Sequence, residues 1–240
     1  MTINIITHGR GSPLVLFHGW GFDSQVWHSL LPDLQSRHEL YLVDLPGFGL
    51  SPQMDWEAFK SNLLPQLPER FALLGWSMGG LFATRLAIEE PARVSHLLNV
   101  ASSPRFVKDD LWPGVDLQKL KIFYDELVHD PEKTRAEFIR LQLQGQVFPI
   151  SFTSPAPGFP ALRAGLELLL NWDFRQALLQ YNQPVCYLFG RLDAIISREV
   201  MPVMQKNYPD FDYVLFKKAA HVPFLSHSQQ FIDELERFIQ

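Results

Sequence analysis

What the chain has little of narrows the reading first. It carries a single cysteine, Cys186, so no disulfide can close within it. That residue sits in the apolar run Pro184-Val185-Cys186-Tyr187-Leu188-Phe189, where it reads as a small core side chain. No stretch approaches the roughly 18 consecutive apolar residues of a membrane span. The first residues, Met1 to His8, hold neither a basic segment nor a long apolar one, so no secretory signal is expected and the cytosol is the expected address. Positive charge is in deficit: 21 Lys and Arg face 26 Asp and Glu, a formal net charge of −5. Neither nucleic acid nor an anionic membrane surface is therefore an expected partner. No His, Cys or Asp cluster has metal-ligand spacing, so neither a metal nor another cofactor is expected. Repeats and low-complexity tracts are lacking too, and a monomer is the expected state.

What is present is an ordinary globular composition, 47% hydrophobic and 20% charged, able to bury a core within 240 residues. Nineteen phenylalanines and six tryptophans are many for this length, enough to fill a core and line a pocket. Short apolar runs occur at Leu14–Phe17, Leu40–Val43, Ala72–Leu74, Leu97–Ala101, Val185–Phe189 and Tyr213–Phe216. They alternate with helical patterns at Ser24–Leu34, Trp56–Leu67, Met78–Glu90, Arg198–Lys206 and Gln229–Ile239. That alternation predicts an α/β class, a mainly parallel central sheet with helices on both faces. The rhythm breaks between Pro104 and Trp172, where helical patterns at Leu117–Val128, Glu132–Leu143 and Ala161–Leu170 surround a Pro-rich passage, 149–160. Residues 1–103 and 173–240 read as the sheet domain. Residues 104–172 read as a helical cap, or lid, inserted over the C-terminal strand ends where open α/β sheets bind ligands. The alternative, ordinary crossover helices with long loops, requires structureless loops of an uncommon length.

The chemistry concentrates at three places. Gly75-Trp76-Ser77-Met78-Gly79 follows the run Phe71–Leu74 and opens a helical pattern. A serine on a sharp strand-to-helix turn is exposed to attack a substrate, and glycines two residues either side relieve the clash such a turn creates. A hydroxyl needs a base to take its proton and a carboxylate to fix the base's tautomer. In this kind of sheet the chain order is Ser, acid, His. Asp193 follows the strand Val185–Phe189 and is the one carboxylate between Asp173 and Glu199. His221 follows the strand Tyr213–Phe216 by a short loop. His96 and His129 do not stand at C-terminal strand ends, and His227 reads as a cap of the last helix. The expected catalytic set is Ser77, Asp193 and His221. His18-Gly19-Trp20-Gly21, after the strand Leu14–Phe17, supplies the remaining part: the backbone N–H groups of Trp20 and Met78 are the expected oxyanion donors.

These blocks, with Leu42-Val43-Asp44-Leu45-Pro46-Gly47-Phe48-Gly49, Val100-Ala101-Ser102-Ser103-Pro104, Trp112-Pro113-Gly114, Gly165-Leu166-Glu167 and Lys218-Ala219-Ala220-His221, cover nearly the whole chain. They resemble the α/β-hydrolase superfamily and, within it, the BioH carboxylesterases of biotin synthesis. The resemblance implies a serine carboxylesterase acting on the methyl ester of pimeloyl-acyl carrier protein. It implies substrate contact by Trp20, Ser77, Met78, His221 and the cap stretch Phe138, Ile139, Arg140, Leu141 and Gln142. Basic cap residues dock the acidic carrier in that family, which here points to Lys133, Arg135, Arg140 and Arg163. The cap as a whole is not basic, with eight Lys and Arg against nine Asp and Glu. A general short-chain esterase or thioesterase remains an alternative, as does a ligand sensor that keeps the triad. A haloalkane dehalogenase does not, because it needs an aspartate at Ser77.

Overall fold

The computed structural model describes residues 2–144 and 153–240. Strands β1 (Ile5–Gly9), β2 (Ser12–Phe17) and β3 (His38–Val43) open the chain, with a 3-10 helix (Ser24–Leu30) and α1 (Leu31–Leu34) between the last two. Next come α2 (Trp56–Leu63), β4 (Phe71–Trp76), α3 (Met78–Glu89) and β5 (Val94–Val100). Helices α4 (Leu117–His129), α5 (Pro131–Gln142), α6 (Phe159–Asn171) and α7 (Arg175–Leu178) follow. The chain ends through β6 (Val185–Gly190), α8 (Val200–Asn207), β7 (Asp212–Phe216), α9 (Pro223–Ser226) and α10 (Ser228–Ile239). The seven strands lie in the order β1-β3-β2-β4-β5-β6-β7. All pairs are parallel except β1 with β3.

Strand alternation divides the core into two layers. Phe17, Leu73, Leu97 and Tyr187 face one side, where α2 and α3 supply Phe59, Leu63, Leu81 and Leu86. Leu16, Leu74, Leu98 and Leu188 face the other, covered by Trp27, Leu30, Phe231 and Leu235. Cys186 belongs to this second layer, and burial pushes its thiol up to about 12. Every residue of β4 is buried, as a central strand covered on both faces requires.

The structure adds β1 to the expected strands. It is an edge strand whose Thr7 and Gly9 are exposed and whose apolar content is Ile5 and Ile6, too short a run to stand out. Two expected helices are shorter than the patterns suggested. Ser24–Leu34 divides into a 3-10 segment and α1 where Pro32 enters, and α2 ends at Leu63 where Pro65 leads a 3-10 turn. Aspartates cap the starts: Asp55 accepts from Ala58 N–H, Asp116 from Gln118 N–H and Asp130 from Lys133 N–H.

Helices α4, α5 and α6 all fall between β5 and β6, and among the described residues of 104–172 no strand joins the sheet. The Pro-rich passage up to Phe152 lies outside the described residues. The two ends of this excursion meet. Arg105 pairs with Asp173 at 2.9 Å, Phe174 N–H donates to the Pro104 carbonyl, and Arg175 bridges Asp109 and Asp173 at 2.8 Å each. No helix among the described residues is long and apolar enough to cross a membrane.

Loops at the C-terminal strand edge are fastened by Asp44, which directly follows β3 and is 1% exposed. Its carboxylate accepts from Ser24 N–H, Leu50 N–H and the Asn4 side-chain amide. Asp44→Ala would leave three donors without this partner, at about 1–3 kcal/mol for each one that stays dry. The expected result is a loss of about 3 kcal/mol or more in a urea melt; a loss under about 1 kcal/mol would show that solvent replaces the carboxylate.

Candidate active site

Ser77 stands between β4 and α3 with φ 55° and ψ −119°. This left-handed backbone is sterically costly for a non-glycine residue, so the surroundings must hold it. Ser77 N–H donates to the Val100 carbonyl, and its own carbonyl accepts from Gly80 N–H and Ser102 Oγ. The turn brings the chain onto itself. A Cβ on Gly75 would lie 2.3 Å from the Gly79 carbonyl oxygen, and one on Gly79 would lie 2.4 Å from the His18 carbonyl oxygen. Glycine is the residue that fits both places.

Parallel strands carry the other two groups to the same edge. Asp193 follows β6 and His221 follows β7. His221 Nδ1 is 2.8 Å from Asp193 Oδ2, and His221 Nε2 is 2.9 Å from Ser77 Oγ. Because a carboxylate can only accept, Nδ1 carries the proton, leaving Nε2 to accept from the serine hydroxyl. Asp193 Oδ1 is occupied by the N–H groups of Ile195 and Ile196 at 2.8 and 3.0 Å. Both side chains of the His–Asp pair are 1% exposed. Trp76 Nε1 donates to the His221 carbonyl at 2.8 Å and so fixes the loop that carries the imidazole. His96 lies within β5 and His129 at the end of α4, neither near this group. His227 occupies the N-cap position of α10 but makes no side-chain cap; its Nδ1 pairs with Ser226 Oγ at 2.9 Å.

The N–H groups of Trp20 and Met78 have no hydrogen-bond partner among the described residues. The peptide that carries the first is held by His18. This side chain is fully buried; its Nδ1–H donates to the Gly19 carbonyl at 2.9 Å and its Nε2 accepts from Leu45 N–H at 3.0 Å. Since the Gly19 carbonyl and the Trp20 N–H belong to one peptide plane, fixing one orients the other. The sequence reading used His18 only as the head of a motif. Its role is visible only once Leu45 is folded beside it.

A cavity of about 790 Å³ opens beside Ser77, walled by Trp20, Phe106, Phe123, Phe138, Leu141, Leu166 and Leu169. Of the cap residues expected at substrate, Phe138 and Leu141 line it, one helical turn apart on α5. Ile139, Arg140 and Gln142 do not. Ile139 packs on the second core layer, Arg140 is exposed, and buried Gln142 reaches the Trp20 carbonyl at 3.5 Å. The Met78 side chain also turns elsewhere, into a second cavity of about 540 Å³.

The structure sets the members of the expected docking set in different surroundings. Lys133 and Arg140 are exposed, but Arg135 donates to the Gly21 carbonyl at 2.8 Å and Arg163 pairs with Glu167 at 3.2 Å. Helical periodicity turns Arg135 toward the sheet loops while Lys133 and Arg140, seven residues apart, share the outer face. Cations that sequence reasoning missed border the main cavity: Lys108, Lys119, Arg191 and Arg198, all exposed. They come from three separate segments, so no local sequence signal joins them. Among the described residues no group of three or more His, Cys, Asp or Glu is placed to hold a metal ion.

Burial pushes the His18 imidazole below its ordinary value of 6.5, against the opposing pull of Asp44, the Gly19 carbonyl and Asp23. The unfolded chain therefore binds a proton that the folded one refuses, and stability falls as the pH drops below 6.5. The urea midpoint should be lower at about pH 5.5 than at about pH 7.5. His18→Asn should flatten that fall, with His28 and His96, also pushed down by burial, supplying the remainder. Parallel pH profiles in the two proteins would remove His18 as the source.

Residues 14–234 match the alpha/beta hydrolase family. A pimeloyl-[acyl-carrier protein] methyl ester esterase of Legionella pneumophila (strain Lens) is 56% identical over 240 residues, covering all of both chains. One of the same description from Aliivibrio salmonicida is 41% identical, covering 98% of this chain and 94% of its own. Among solved structures, an esterase from Exiguobacterium antarcticum superposes with a TM-score of 0.87 at 20% identity, covering 99% of this chain and 95% of its own. The mainly parallel sheet, the serine turn between β4 and α3, and these matches together make the chain a member of the alpha/beta hydrolase family, in the group that holds the methyl ester esterases.

Proposed function

We propose that the chain is a serine carboxylesterase that hydrolyses the methyl ester of pimeloyl-[acyl-carrier protein], acting as a monomer in the cytosol with 104–172 as its lid. The observation that carries this reading is the unbroken chain of hydrogen bonds Asp193–His221–Ser77, ending at a cavity open to solvent. The methyl ester esterase relatives, covering 100% and 98% of the chain, suggest the substrate.

The steps follow from the geometry. Ser77 Oγ attacks the ester carbonyl while its proton passes to His221 Nε2. Negative charge gathers on the former carbonyl oxygen, which takes hydrogen bonds from Trp20 N–H and Met78 N–H. As the C–O bond to the methoxy group breaks, His221 returns the proton and methanol leaves. Water then attacks the acyl-enzyme, giving its proton to His221. Collapse releases the free carboxylate and restores the Ser77 hydroxyl. Asp193 stays ionised throughout, holding Nδ1–H and stabilising the imidazolium.

Ser77→Ala should lower kcat for methyl ester hydrolysis by about 10⁴-fold or more with an unchanged melting temperature. Asp193→Asn should cost about 10⁴-fold by admitting the wrong imidazole tautomer. Activity within tenfold of wild type in either variant would remove the triad.

The carrier end of the substrate concerns the cavity mouth. Lys108, Lys119, Arg191 and Arg198 border the space through which a carrier-linked chain must pass, with Asp116 as the opposing charge and Asp193 already paired. Reversing Lys119 and Arg198 together should raise KM severalfold for the carrier-bound ester while leaving a small free methyl ester unaffected. Such docking is binding shared by ground and transition states. Salt raised from about 0.05 to 0.5 M should act in the same direction. Reversing Lys133 and Arg140 should have the smaller effect. An equal response from both esters would instead favour a general short-chain esterase.

A further inference from the structure

The cavity of about 540 Å³ is lined by residues of α3 and α6, among others, and shares no lining residue with the cavity at Ser77. Trp20 lines the first space, and Met78 and Gly165 line the second. The three residues are in close contact: a Cβ on Gly165 would lie 2.8 Å from Trp20 Cδ1 and 2.9 Å from Met78 Sδ. They differ in stiffness. Trp20 Nε1 donates to the Leu162 carbonyl of α6 at 2.8 Å, and the indole stands edge-on to Phe123 and Phe138 with ring centres 5.4 and 5.2 Å away. Gly165 is part of the same helix. Met78 is an unbranched thioether with three rotatable bonds, the one member of the wall whose side chain can be removed without breaking a hydrogen bond.

Trp20 and Met78 also carry the two N–H groups proposed above as donors to the reacting oxygen, which would set the wall beside the ester carbonyl. A carbonyl has two substituents. The long acyl arm requires the open mouth, which leaves the alcohol group against the wall. We propose that Trp20, Met78 and Gly165 form a partition that limits the ester's alcohol to about the size of methyl, and that the cavity behind it is a latent subsite for a longer alkyl alcohol. Phe48, Phe82 and Leu168 give it apolar lining for an alkyl chain, beside the polar Gln53, Asp55, Arg85, Glu167 and Asn171. The inference rests on Ser77 as the nucleophile.

The test is a series of monoalkyl esters of one diacid, methyl, butyl and hexyl, with kcat/KM measured for wild type, Met78→Ala, Met78→Leu and the double variant Met78→Ala/Ala164→Phe. Truncating Met78 keeps its backbone N–H, and Ala164 lines the second cavity alone. The hexyl-to-methyl ratio should rise about tenfold or more in Met78→Ala, the scale on which apolar pockets discriminate single methylenes. It should stay near wild type in Met78→Leu and fall back in the double variant, where the added ring fills the chamber. The ratio is internal to each variant, so a loss of overall rate does not obscure it. An unchanged ratio in Met78→Ala overturns the proposal. So does a gain that persists in the double variant, or one confined to lengthened acyl chains. A wild type that cleaves the methyl ester while the ratio stays fixed fails the partition alone; a wild type that cleaves no ester fails the esterase reading.

Discussion

The backbone of Ser77, held at φ 55°, is the constraint that the neighbouring structure accommodates. A left-handed, non-glycine conformation costs on the order of 1–3 kcal/mol and persists only where its surroundings determine it. Here they do so from both sides. Strand β5 supplies the Val100 carbonyl for the Ser77 N–H, and Ser102, just past β5, supplies a hydroxyl for the Ser77 carbonyl. Strand β2 lies on the other flank, and the loop leaving it passes so close to Gly79 that no side chain fits there. The central place of β4 in the sheet is thus part of the same arrangement as the Ser77 hydroxyl at its end. An edge strand would lack one of the two neighbours.

Parallel pairing then decides which other groups can join. Strands β4, β6 and β7 all point the same way, so the loops carrying Ser77, Asp193 and His221 emerge at one edge. A carboxylate as buried as that of Asp193 is tolerated only when its oxygens are satisfied, and His221 Nδ1–H with two backbone N–H groups does this. The same bonds set the tautomer. Stability and the proposed proton transfer therefore depend on one set of contacts, and the donor from Trp76 to the His221 carbonyl extends it to the strand that carries Ser77.

This logic explains what was legible in the sequence. Strand runs followed within a few residues by Ser77, Asp193 or His221 place each residue beyond a strand's C-terminal end, and parallel order makes them neighbours. Short-range patterns suffice for that. They do not suffice for the faces of α5, where Phe138 and Leu141 reach the cavity while Arg135 turns to Gly21 and Arg140 to solvent. Helical spacing groups these residues correctly but does not say which neighbour each face meets. Strand β1 escaped notice because an antiparallel edge needs only Ile5 and Ile6 to anchor it. His18 escaped for another reason: its two partners, Gly19 and Leu45, meet only after β2 and β3 have paired.

Charge and shape are divided along the proposed path of the substrate. The chain is acidic overall, at −5, yet its cavity mouth gathers Lys108, Lys119, Arg191 and Arg198. Exposed cations act over about a Debye length, 8–10 Å in physiological salt, so they can gather an anionic partner without reading the reacting bond. Trp20, which lines the cavity, and Met78, which lines the second one, are 1% and 0% exposed, and contact there is a matter of ångströms. The proposed discrimination by shape belongs there, where displacement of a buried wall would be felt by the same peptides proposed to receive the developing charge. Attraction at the mouth and exclusion at the wall are separable because residues of different segments supply them.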